Sequence, residues 1–145
     1  MPRRDPYPGF NYLVELGDPE NIAGFSEVHL GAAHVELIEY REGADRVNAV
    51  RKLPGLARYD NVVLKRGLTG TTALWDWFDE VRDGAASRRD VRIVLLDEQR
   101  NAVARWLLRN ALPVRYEAPT LRAAGNEVAI ETLELAHERL ELEAV

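Results

Sequence analysis

Over most of its length the chain alternates apolar and polar residues with period 2, the pattern that sends successive side chains to opposite faces of a strand. Phe10, Tyr12, Val14 and Leu16 share one face of the first predicted strand, and GDPEN at 17–21 reads as the turn after it. Further strands are predicted over 22–30 and 33–41; in the second, Val35 and Leu37 oppose Glu36, Ile38 and Tyr40. After Tyr40 the alternation dissolves into REGADRVNAVRKLPGLARYD, which reads as a long loop at about 42–60. So long a connection inside a small domain is usually functional or partly disordered. NVVLKRG then restores a strand, with Val62, Leu64 and Arg66 on one face and Val63 and Lys65 on the other.

The one predicted helix runs over about 72–83. Leu74, Trp77, Phe78 and Val81 fall at helical spacing, Thr71 or Thr72 can cap its start, and Gly84 can end it. DVRIVLLDEQRNAVARWLLRN reads as a hairpin turning at 97–101, with Val91, Ile93 and Leu95 on one side of its first arm and Ala104, Trp106 and Leu108 on one side of its second. Pro113 cannot donate to a ladder, so it marks an edge, a bulge or the strand's end. The terminal NEVAIETLELAHERLEL fits both periods; the β character of the rest favours a strand, which then needs burial on both faces or a bulge, because Leu133 and Leu135 oppose Val128 and Ile130. No repeat or linker divides residues 1–145, so a single, mainly β domain is expected, a barrel or sandwich with one peripheral helix.

Composition narrows the function. The chain is 46% hydrophobic and 30% charged, and no window approaches the roughly 18 apolar residues of a membrane helix. MPRRDPYPGF lacks the apolar stretch of a secretory signal. With no cysteine, disulfides, thiolate metal sites and thiol nucleophiles are excluded. A net charge of -5 argues against a general nucleic-acid binder, although Arg51, Lys52, Arg58, Lys65 and Arg66 cluster around Asp60. That cluster keeps open an alternative, a monomeric β-barrel binding module using a local basic patch.

Candidate chemistry is thin. His29 and His34 are five residues apart, which in a continuous strand sends them to opposite faces, and His137 has no neighbour of its kind in sequence, so no metal site is expected. GLTGTT before the helix lacks the Gly-Lys-Ser/Thr ending of a phosphate loop, and Ser26 and Ser87 have no local base. Trp75 and Trp106 are expected to pack in the core. Arg105 and Arg109, with Val103 and Leu107 between them, put charge among aliphatic groups, which suits an interface or a wet channel wall. No residues support catalysis or a cofactor.

DPYPGFNYLVEL, IAGFSEV, VELIEYREGAD, VRKLPGLARYDNVVLKRGLTG, LWDWFDEV, RRDVRIVLLDEQRNAVARWLLRNALPVRYEAP and GNEVAIETLELAHERLEL follow one another across residues 5–142. Together they resemble the tail-tube proteins of contractile phage tails and of phage-tail-like contractile injection systems. The resemblance implies a β-barrel of two packed sheets with one flanking helix, similar to the ring protein of type VI secretion. It implies a structural subunit and no enzyme: six copies form a ring, rings stack into a hollow tube, and sheath contraction drives the tube into a target while the lumen conducts DNA or protein cargo. The implied partners are further copies, sheath and baseplate proteins and the cargo, with no specific nucleic-acid site. Assembly in a bacterial cytoplasm is implied, in a phage tail or tail-like particle that can be released.

The resemblance also places the long loop at the contact between rings, making Arg41, Glu42, Arg46, Arg51, Lys52, Leu53, Pro54 and Arg58 the ring-stacking candidates. Lys65, Arg66, Arg105, Arg109, Glu131 and Glu134 are the candidates for the subunit interface or lumen. The acids of the terminal strand, Glu131, Glu134, Glu138 and Glu141, are expected to set register between copies. The chain departs from the family pattern at VHLGAAHVE, where His29, Ala32 and Ala33 stand in place of a more polar turn.

Overall fold

The computed structural model describes residues 5–17, 22–44, 46 and 49–144. Its elements, in chain order, are β1 (Tyr12–Leu16), β2 (Ile22–Ala23), β3 (Glu27–His29), β4 (Ala33–Tyr40), β5 (Arg51–Tyr59), β6 (Val62–Gly67), α1 (Ala73–Arg82), β7 (Arg89–Leu96), β8 (Ala102–Glu117), β9 (Ile130–Ala136) and β10 (Arg139–Ala144). Of the predicted turn at 17–21, only Gly17 falls within the described residues.

The β7–β8 hairpin forms where it is expected. Val91, Ile93 and Leu95 stand opposite Leu108, Trp106 and Ala104, so the apolar sides of both arms share one face. Its turn is held by Asp97, whose carboxylate accepts the N–H groups of Gln99 and Asn101 at 2.9 and 2.8 Å. β8 then runs on past the predicted arm for 16 residues in all. Its first half pairs β7 on one edge and β10 on the other, while its second half pairs β9.

Two sheets result, β2–β1–β7–β8–β10 and β8–β9–β6–β3, and β8 belongs to both. The strand changes direction at Asn110, which sits at φ 51, a left-handed conformation that Asn tolerates better than most residues. Side-chain bonds fix the bend: the Asn110 N–H donates to Asp90 at 3.1 Å and its amide to Glu138 at 2.7 Å. Pro113 marks a bulge, since the β8–β9 register shifts between Pro113 and Arg115.

The expected strand over 22–30 is split. β2 pairs β1 in the first sheet, β3 pairs β6 in the second, and the chain crosses between them at 24–26, where the N–H and hydroxyl of Ser26 both donate to the Lys65 carbonyl. The two packed sheets thus make a barrel-like body whose hydrogen-bonded path, among the described residues, stays open between β2 and β3.

Val14, Leu16, Val62, Leu64, Val91, Ile93, Leu108, Leu133 and Leu135 fill the space between the sheets, and Leu74 and Trp77 of α1 close it from the flank. Full burial of such side chains contributes about 1.5–3 kcal/mol each. Trp77 can be buried because its indole N–H donates to the Ser87 carbonyl at 2.7 Å. Thr72 occupies the N-cap position, but its hydroxyl bonds Asp76, and Thr71 accepts the Ala73 N–H at 3.3 Å. Gly84 follows the last turn at φ +100, as a helix-ending glycine does.

The terminal segment is strand, but in two pieces, β9 and β10, with residues 137–138 breaking the single strand expected. Glu131, Leu133 and Leu135 face the core, whereas Val128 and Ile130 remain exposed. The apolar residues on the second face are therefore left outside the subunit rather than buried within it. Trp106 lies partly buried against the core, but Trp75 sits at the border, edge-on to Tyr116 at 5.2 Å with the Arg82 guanidinium over its ring.

Candidate assembly surfaces

Among the described residues, β4 and β5 pair only with each other, as a two-stranded antiparallel ribbon outside both sheets. This corrects the reading of 42–60 as one irregular loop, because Arg51, Lys52, Leu53, Pro54 and Arg58 all lie on β5. The signal was hidden for a physical reason. Period-2 alternation marks a strand with one buried face, and this ribbon buries neither. β5 also carries an extra residue opposite Glu36, which breaks its phase; Gly55 fits there because a Cβ would lie 3.1 Å from the Glu36 carbonyl oxygen. Of the remaining ring-stacking candidates, Arg41, Glu42 and Arg46 are exposed in the described part of the connection, while residues 45, 47 and 48 lie outside it.

Apolar exposure is concentrated on this ribbon. Val35, Leu37, Ile38, Tyr40, Leu53 and Leu56 are between 45% and 71% exposed. Its polar side chains pair locally: Arg58 with Glu36, and the Tyr40 hydroxyl with Glu42.

Asp60 anchors the ribbon's base. Its N–H donates to the Ala32 carbonyl at 2.9 Å, and its carboxylate accepts the Ala32 N–H and faces His34 Nε2, both at 3.0 Å. The Ala32 bond, with His34 beside it, holds the Asp60 carboxyl below the usual carboxylate range. Gly31, at φ +73, permits the approach, since a Cβ there would fall 2.7 Å from the Asp60 Cβ. His137 Nε2 meets the Asp60 carbonyl at 3.1 Å. His34 and His137 thus both contact Asp60, which spacing in sequence could not show, because the fold brings His137 in from 77 residues away. Among the described residues, no group of three or more His, Cys, Asp or Glu could hold a metal ion.

Two of the interface or lumen candidates are not surface groups in the subunit. Arg66 and Glu131 stand opposite each other on β6 and β9, with Nε and Oε1 2.6 Å apart, and are 6% and 2% exposed. The Tyr116 hydroxyl donates to the second Glu131 oxygen at 2.7 Å, and burial together with that bond pushes its pKa up to about 12. Charge in sequence carried no mark of this burial. The alternation did, because it put Arg66 on the face of Val62 and Leu64. Lys65 and Glu134 face outward from the same strands, Lys65 beside Glu27 at 3.4 Å and Glu134 accepting from Asn61 at 3.1 Å.

Arg105 and Arg109 also lie on an outer sheet face, but within a lattice of ion pairs. Arg105 meets Glu143 at 3.5 Å, and Arg109 meets Asp90 at 3.2 Å and Glu141 at 3.4 Å. Glu138 meets Arg88 and Asn110. Glu131, Glu138 and Glu141 thus find basic or polar partners inside their own chain, not first across a boundary as the sequence suggested. β10, which carries Glu141, bonds β8 along one edge and has no strand on the other among the described residues.

Residues 8–141 match the family of the T4-like virus tail tube protein gp19. The chain belongs to that family. This tube protein is similar to a chain of an extracellular contractile injection system, in the PVC sheath–tube complex in its extended state, with 26% identity over 98% of this chain and 94% of that one and a TM-score of 0.87. It is similar also to a chain of the anti-feeding prophage baseplate, with 28% identity over 98% of each and a TM-score of 0.85. Hcp1 from Flavobacterium johnsoniae shares the fold at 12% identity and a TM-score of 0.56, over 92% of this chain and 95% of that one. No curated protein matches the chain in sequence.

Proposed function

We propose that this tube protein assembles as hexameric rings that stack into the hollow inner tube of a contractile tail or injection system. Assembled in a bacterial cytoplasm inside a sheath and on a baseplate, the tube is driven into a target when the sheath contracts, and its lumen conducts DNA or protein cargo. The observation that carries the reading is the end-to-end similarity to chains in a sheath–tube complex and in a baseplate reconstructed with sixfold symmetry. The uncovered apolar ribbon agrees with it, since exposed apolar surface beyond a few hundred Å² marks a contact site. Ring stacking is assigned to the ribbon and its connection, with Arg41, Glu42, Arg46, Arg51, Lys52, Leu53, Pro54 and Arg58. Lys65, Arg105, Arg109 and Glu134 are assigned to the walls between subunits or along the lumen.

The test is negative-stain microscopy of the purified chain as its concentration is raised. Rings and tubes are expected from the wild type, and Lys52→Glu and Leu53→Asp should stop elongation while the dispersed subunit keeps its denaturation midpoint. A wild type that stays monomeric at every concentration and joins no sheath or baseplate would overturn the reading. Variants whose folding fails along with assembly would remove the ribbon assignment alone.

A further inference from the structure

Among the described residues, two that are not glycine hold a left-handed backbone, Asn110 at φ 51 and Arg100 at φ 65. A side chain in that region crowds the following carbonyl, so glycine is its ordinary occupant. For Asn110 the subunit supplies a reason. Asn tolerates the region well, and here its amide donates to Glu138 at 2.7 Å and its N–H to Asp90 at 3.1 Å. Arg100 has no such reason: it is exposed, and its side chain meets no hydrogen-bond or ionic partner among the described residues. Its backbone is fixed by the β7–β8 turn. The Arg100 N–H donates to the Asp97 carbonyl and the Asp97 N–H to the Asn101 carbonyl, both at 2.9 Å, so Glu98, Gln99 and Arg100 form a three-residue loop. Such loops end on a left-handed residue, usually glycine. The turn has no use for the guanidinium, because the Asp97 carboxylate closes it by accepting the N–H groups of Gln99 and Asn101. An arginine standing where glycine would fit with less strain marks a side chain used outside the subunit.

Charge indicates what that side chain meets. Arg58, Lys65, Arg66, Arg88, Arg105 and Arg109 each stand against a carboxylate of their own chain. Arg100, at the hairpin tip, is uncommitted. With 24 acidic residues against 19 basic ones, copies brought together carry carboxylates to spare and repel one another. A guanidinium on an exposed tip offsets that repulsion, and its planar fork can hold a carboxylate through two hydrogen bonds.

Resting on the tube reading, we propose that Arg100 is an assembly residue: its guanidinium pairs with a carboxylate of another copy of the chain, and the β7–β8 turn bears a left-handed backbone to present it.

Three substitutions separate the backbone from the charge. Arg100→Gly removes both the crowding and the charge, Arg100→Gln removes the charge alone, and Arg100→Lys keeps both. Urea denaturation of the dispersed subunits should place the midpoint of Arg100→Gly above wild type by roughly 0.3–0.5 M and leave the other two near it. Tube formation is then followed by light scattering and negative-stain microscopy over a concentration series. The critical concentration should rise by about fivefold or more in Arg100→Gly and Arg100→Gln and stay within about twofold of wild type in Arg100→Lys. Added salt should narrow the gap, as it screens an exposed pair. Arg100→Gly and Arg100→Gln tubes that form as readily as wild type overturn the proposal and leave the tube reading standing. A loss confined to sheath binding or to DNA retention also overturns it, because the partner is then not another copy. An Arg100→Gly subunit less stable than wild type overturns it too, since the backbone then carries no strain to explain. A wild type that forms no tubes removes the proposal together with the function beneath it.

Discussion

Replacing Glu131 by Leu should unfold the subunit far more readily than replacing the buried pair together. Arg66 and Glu131 are almost fully withdrawn from water and bonded at 2.6 Å, and Arg66 Nη2 has no hydrogen-bond partner among the described residues. Beyond the bond to Glu131, the guanidinium has the Phe25 ring at 5.8 Å. With Glu131 gone, the arginine is a charge in an apolar setting with nothing to balance it, and such a loss costs about 3–5 kcal/mol. A domain of this length has about 7–20 kcal/mol in total, so the single change consumes a large share. Arg66→Met should cost a similar amount by stranding the carboxylate. The double variant leaves no buried charge; what remains is the Tyr116 hydroxyl without its acceptor, about 1–3 kcal/mol. Urea denaturation of the dispersed subunits, followed by tryptophan fluorescence, should place the midpoints of both single variants about 2 M below wild type and that of the double variant between them and wild type. If the double loses as much as the two singles added together, or either single loses less than about 1 kcal/mol, the pair is not a coupled buried unit and the reasoning fails.

Other outcomes follow from groups nearby. Tyr116 should titrate late: its pKa is pushed up to about 12, so the folded state holds the proton more tightly than the unfolded chain. The stability this contributes is present below pH 10 and is lost as the pH rises from about 10 toward 12; a flat denaturation midpoint across that window would contradict the assignment. Asp60 works in the opposite sense, since its folded carboxyl is held low; its contribution is present above the ordinary carboxylate pKa and fades in acid, and Asp60→Asn should flatten the acid limb of the stability curve. Gly31→Ala should destabilise by about 1–3 kcal/mol, from φ +73 and the Cβ placed 2.7 Å from Asp60, read as a lowered urea midpoint. Arg109→Ala, by contrast, removes partly exposed ion pairs and should leave the urea midpoint close to that of the wild type.

The parts of the fold that the sequence announced are those with one wet face and one dry one. β6 alternates because core lies on one side of it, and α1 shows its stripe at Leu74, Trp77, Phe78 and Val81 for the same reason, whereas β7 and β8 also bury Val94, Leu96 and Leu107 on their other face. β5 stayed illegible because both its faces are exposed and an extra residue shifts its phase, so its alternation had no buried side to reveal it. The split of 22–30 between two sheets was equally invisible: each half is a good strand, and only partners far away in sequence decide which sheet each joins. Among the assembly candidates, Lys65, Arg105, Arg109 and Glu134 reach the surface, but Arg66 and Glu131 face each other across β6 and β9, a contact spanning 65 residues. The meeting of His34 and His137 at Asp60 escaped for the same reason, being a matter of topology and not of spacing.

The passage of β8 through both sheets has a mechanical consequence. Two sheets joined only by an apolar interface can slide over one another, because dispersion contacts are non-directional and re-form after a small displacement. Here the sheets share a continuous length of backbone, and the turn between its halves is pinned at Asn110 from both sides, by Asp90 at the start of β7 and by Glu138 between β9 and β10. Sliding one sheet past the other would require this strand to stretch or its hydrogen bonds on both edges to fail together. The subunit should therefore respond to axial compression as one stiff body, with the compliance of any assembly built from it confined to the joints between copies.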